Sequence, residues 1–93
     1  MPSFLENIPP EYHEPLREAI EAIGETRMLL DEVRARFGTI DPRELAAKPG
    51  TELGGVSAQQ AARELEALLT LHEQRRAYCR DLMLRMARGE TIP

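Results

Sequence analysis

The sequence predicts an all-α protein: an antiparallel hairpin of two long amphipathic helices with a short helix in the connector. Three observations predict it. Two segments carry apolar residues at alternating spacings of three and four, which keeps a stripe on one face of a helix. Each segment runs into a glycine, Gly38 or Gly89, the residue that most easily adopts the left-handed conformation past a last helical turn. The apolar content is mainly Leu, Ala, Met and Ile, with aromatics at 4% and no Trp, which favours helices over sheets.

Residues 1–14 read as a lead-in, with Phe4, Leu5 and Ile8 apolar and Pro9-Pro10 interrupting any helix there. Pro15 suits a first helical turn, with His13 or Glu14 in the cap region. The first long helix is therefore expected over 15–37. Its stripe is Leu16, Ile23, Leu30 and Phe37, seven apart, with Ala19, Thr26 and Val33 between. The connector covers 38–56. Within it Asp41-Pro42-Arg43-Glu44 has the order cap, proline, glutamate that opens a helix. A short helix is expected near 42–47, ended by Lys48-Pro49-Gly50, with Gly54-Gly55 as a second break. Ser57 followed by Gln60 forms a capping box, and Val56 can staple onto Ala61. The second long helix is expected over 57–88. Ala58, Leu65, His72, Cys79 and Met86 lie seven apart, with Ala61, Leu68, Arg75 and Leu82 as companions. Residues 89–93 form a tail.

At 93 residues one domain is expected. A domain this small buries only about 60–65% of its unfolded surface, and oligomerisation is a common remedy for so thin a core. The net charge of −4 argues against nucleic-acid binding, which draws on a positive surface. Six arginines between Arg63 and Arg88 make the second helix look basic. Their angles spread around the helix with Glu73 and Asp81 interleaved, as on a solvated face. Cys79 is the sole cysteine, so no intrachain disulfide can form, and a cytoplasmic setting is expected. The first residues lack the basic stretch and apolar run of a secretory leader. No apolar stretch approaches the roughly 20 residues of a membrane span.

Both stripes are broken near their middles, by Gly24-Glu25-Thr26-Arg27 and by His72-Glu73-Gln74-Arg75-Arg76. Folding Phe37 toward Ser57 brings Thr26 to within about one helical turn of His72. A polar layer is therefore expected across the hairpin, with Glu25, Thr26 and Arg27 facing His72, Arg75 and Arg76. Such a layer can be a set of seam-lying side chains with heads in water, a register device, or an anion site. Its candidate residues are Arg27, His72, Arg75 and Arg76.

Other chemistry finds little footing. His72 and Cys79 lie two turns apart, roughly 10 Å along a helix, too far to share a metal ion unaided. No metal, no cofactor and no catalytic residue is expected. His13 is expected in solvent, and Cys79 reads as a small core side chain. Leu16-Arg17-Glu18-Ala19-Ile20 with Arg34 resembles the first helix of the helical chorismate mutases, which would imply an enzyme of that fold. Leu45 stands where that family's pattern requires a lysine, and the chain is not assigned to it.

Apolar positions exceed what one seam needs. Met28 and Leu29 stand beside Leu30, Leu69 and Leu71 flank Leu68, and Tyr78, Met83, Leu84 and Met86 spread beyond a stripe. Exposed apolar flanks usually mark an interface. The expected function is a non-catalytic protein–protein interaction module, a small adaptor, accessory subunit or assembly factor. It would dimerise into a four-helix bundle or dock on a protein partner. Its expected interface is Leu29, Leu69, Leu71, Tyr78, Leu82, Met83 and Met86. The alternatives are a helical dimer that binds a small anion in the Arg/His layer, and an acidic inhibitor of a nucleic-acid-binding enzyme.

Overall fold

The structure is a computed structural model that describes residues 8–48 and 57–91. Features expected at Phe4, Leu5, Pro49, Gly50, Gly54, Gly55 and Val56 lie outside the described residues. Three helices follow in order: α1 (Pro10–Phe37), α2 (Pro42–Ala46) and α3 (Ala58–Ala87). The described residues contain no strand.

Helix α1 begins five residues before its expected start. Pro10 occupies the first helical position, where a missing N–H costs nothing and the fixed φ already suits a helix. Pro15 therefore lies inside α1 and removes a backbone hydrogen bond, at about 3 kcal/mol. Tyr12 supplies the offset. It continues the three-four spacing back from Leu16 and is 1% exposed. A buried Tyr covers roughly 150–250 Å², worth several kcal/mol at about 25 cal/mol per Å². Its hydroxyl donates to the backbone carbonyl of Glu90, so the phenol is satisfied. His13 is half-buried with Nε2 2.8 Å from the Ile8 carbonyl, which corrects its expected place in solvent. The Arg17 guanidinium beside Glu14 holds that carboxyl below its ordinary range. The pair is fully exposed and adds little to stability.

The remaining ends follow the expected chemistry. Gly38 closes α1 at φ 76° and donates to the Arg34 carbonyl. Asp41 caps α2 by accepting from the Arg43 N–H at 2.9 Å, and Ser57 caps α3 by accepting from the Gln60 N–H at 3.1 Å. Arg34 and Arg36 occupy the last turn of α1 and Arg85 that of α3, each complementing the helix dipole.

The long pair is antiparallel. Along α1, Tyr12 meets Glu90, Ala22 meets Arg75 and Thr26 meets His72. Every stripe residue of both helices is buried or half-buried. The apolar contacts form two clusters. One joins Ile8, Tyr12, Leu16 and Ala19 to Cys79 and Leu82, with Ile23 and Met86 packed against it. The other joins Leu30, Leu45 and Leu65, with Val33, Phe37, Ile40, Leu68 and Leu69 around it. Helix α2 belongs to the second cluster through Leu45, which is 1% exposed. Thr26, fully buried, stands in the stripe between them.

The molecule measures 52 × 27 × 16 Å. The shortest dimension is little more than the ~10–12 Å diameter of one helix. The hairpin is thus essentially one layer of helices, with a broad flank on either side of the seam. Truncation should separate seam from surface. Leu16→Ala is expected to cost about 2–5 kcal/mol, whereas Met28→Ala, at a side chain 66% exposed, should stay within about 0.5 kcal/mol. Urea unfolding followed by circular dichroism measures both.

Candidate functional site

The polar layer is built from the seam outward. Thr26 and His72 take matching seam positions on α1 and α3, and Thr26 Oγ1 lies 2.6 Å from His72 Nδ1. The same oxygen lies 3.1 Å from the Ile23 carbonyl and 3.3 Å from that of Ala22. A hydroxyl has one proton to give. It either donates to Nδ1, leaving the ring proton on Nε2, or donates to a helix carbonyl and accepts from Nδ1–H. Both arrangements satisfy the pair. Arg75 adds a second crosslink, donating from Nη1 to the Ala22 carbonyl at 2.7 Å and to Glu25 Oε1 at 3.3 Å.

The expected four-residue layer is nevertheless split. Arg75 lies on one side of the seam, in a small groove with Pro15, Glu18, Ala22 and Tyr78. Arg27 and Arg76 lie on the other, in a second groove that also includes Arg34 and His72. Helical geometry explains the division. Ala22 and Arg27 are five residues apart, about 140° around α1 at 3.6 residues per turn. They therefore stand on opposite sides of a stripe that runs between them.

Because residues seven apart share a face, each groove extends into a flank. The first contains Pro15, Ala22 and Leu29 from α1 beside Leu71 and Tyr78 from α3. It exposes apolar side chains, with Leu29 43% exposed, Leu71 40% and Tyr78 56%, beside Glu18 and the Arg75–Glu25 pair. The second contains Ile20, Arg27 and Arg34 from α1 beside Leu69, Arg76 and Met83 from α3. It is basic at its centre and apolar toward its ends.

The expected interface residues divide accordingly. Leu29, Leu71 and Tyr78 share the apolar flank, and Met83 is exposed on the basic one. Leu82, 4% exposed, belongs to the seam. Met86 is half-buried against the same cluster, and Leu69 packs against the cluster of Leu30, Leu45 and Leu65. Leu82 and Met86 continue the three-four spacing to the end of α3, so the seam takes them before any flank can. Two features escaped sequence reasoning. Arg34 joins the basic groove, and the available signal was its seven-residue spacing from Arg27. Tyr12 donates to the Glu90 carbonyl just past α3, and its signal was the spacing from Leu16.

Among the described residues no group of three His, Cys, Asp or Glu side chains could hold a metal ion, and Cys79 is buried. No described helix is long and apolar enough to cross a membrane. No protein-family model, curated protein or solved structure matches the chain.

The Thr26–His72 contact is testable by a double-mutant cycle. Thr26→Val leaves Nδ1 without its partner in the seam and should cost about 1–3 kcal/mol. Adding His72→Leu converts the layer to an apolar seam and should recover most of that loss. Additive losses in denaturant unfolding would mean that the two side chains do not act as a pair.

Proposed function

We propose that the protein is a non-catalytic interaction module that works through the apolar flank of its helical hairpin, and that a second copy of the chain is the first occupant of that flank. The observation that carries this reading is the alignment of Leu29, Leu71 and Tyr78, all exposed, on one side of a single helical layer. Soluble monomers rarely leave large contiguous apolar patches in water, and Tyr and Leu supply much area at modest entropic cost.

A second copy suits the flank for two reasons. A layer of two long helices becomes a four-helix bundle when an identical layer covers it. A two-fold interface must also complement itself, and exposed apolar side chains such as Leu29, Leu71 and Tyr78 do so without needing an opposite charge. In the cell such a bundle would serve as an adaptor, accessory subunit or assembly factor, with its outer faces left for a larger protein.

Leu29→Glu combined with Leu71→Glu places two carboxylates on the flank without touching either buried cluster. The wild-type chain is expected to show twice the mass of one chain by light scattering, and the double variant the mass of one. Met28→Glu, on the outward face of α1, should leave the dimer intact. A wild-type monomer at all accessible concentrations would overturn self-association.

A further inference from the structure

The second flank has a chemistry of its own. Arg27 and Arg34 from α1 and Arg76 and His72 from α3 line one groove of about 460 Å³. Asp31 is the only carboxylate among its lining residues. Three guanidiniums against one carboxylate leave the groove positive in a chain whose net charge is −4. The arginines are not all spent on the fold. Arg76 is shared with Glu73 at 3.6 Å on its own helix. For Arg27 and Arg34 no ion pair forms among the described residues, although carboxylates are abundant on both helices. Arg75, by contrast, is committed to the Ala22 carbonyl and to Glu25 and belongs to the other side.

His72 completes the arrangement. Its Nδ1 is taken by Thr26, so Nε2 is the ring nitrogen left at the groove wall. When the Thr26 hydroxyl donates to Nδ1, the ring proton sits on Nε2 and becomes a donor. An acceptor in the groove favours that arrangement, and the seam contact then fixes the direction of the donor. The rest of the lining is apolar: Ile23, Leu30, Ile40 and Leu69. Guanidinium groups match the oxygens of phosphate in pairs, and a phosphomonoester carries about −1.5 to −2 charges at neutral pH. With Arg76 shared with Glu73, Arg27 and Arg34 against Asp31 leave a surplus of one positive charge in the groove, which favours such an anion.

We infer that this groove is a binding site for a small phosphomonoester whose organic body rests on the apolar lining, with Arg27 and Arg34 as its principal anion ligands and His72 Nε2 as a donor. The site lies on the flank opposite the one assigned to self-association, so the two assignments stand or fall separately.

Phenyl phosphate is the probe, titrated into ¹⁵N-labelled full chain in a buffer free of phosphate and sulfate. Saturable shifts are expected at Arg27, Arg34, His72 and Arg76, with inorganic phosphate binding more weakly and phenol not at all. Arg27→Gln and Arg34→Gln each remove charge-assisted hydrogen bonds and should weaken phenyl phosphate by roughly tenfold or more, with helicity unchanged by circular dichroism. Leu29→Glu, on the other flank, should leave the affinity as it was. Shifts that fail to saturate, or affinity kept in the Arg27→Gln, Arg34→Gln double variant, would overturn the site. Equal binding of phenyl phosphate and inorganic phosphate would overturn the role of the apolar lining.

Discussion

The hairpin depends on the pairing of its two apolar stripes, which a single hydroxyl–imidazole contact crosses near mid-length. Thr26 and His72 occupy seam positions where apolar residues would pack well in several registers. A buried polar group without a partner costs the full price of its lost hydration. Thr26 keeps the Ile23 and Ala22 carbonyls of its own helix within reach in any register, so a slide of one helix by one turn would part only His72 Nδ1 from its hydroxyl. Arg75 reinforces the same level by reaching across to the Ala22 carbonyl. The apolar clusters supply most of the driving force. The polar layer between them adds directional contacts at one level of the seam.

The layer also separates two surfaces of different kinds. On one side Arg75 is drawn into the fold, and the exposed apolar side chains are Leu29, Leu71 and Tyr78. On the other, Arg27 and Arg34 are left without carboxylate partners among the described residues, and the exposed edge of His72 joins them. A thin, one-layer fold makes this possible. A thicker domain would cover one flank to complete its core. Here only α2 does so, through Leu45.

Much of the architecture was legible beforehand because helix signals are local. Capping by Asp41 and Ser57, the αL glycine at Gly38 and the three-four spacing all depend on neighbours within a turn or two. The level of the polar layer was legible as well, since two interrupted stripes in a hairpin can align in few ways. The start of α1 was not. Pro15 reads locally as a first-turn residue, and only the burial of Tyr12 against α3 and its hydrogen bond to the Glu90 carbonyl justify a helix that runs through it.

The sequence by itself determined the helical class, the stripe that forms the seam and, to within about a turn, the level of the polar layer, because periodicity places every residue at a known angle on its own helix. Tertiary structure decided how far one helix is displaced along the other and which polar side chains engage across the seam. Periodicity fixes an angle on each helix but not an axial offset, which is settled by side-chain packing. That offset is why Arg75 reaches the Ala22 carbonyl and Glu25, and why Tyr12 meets Glu90 and carries α1 back through Pro15.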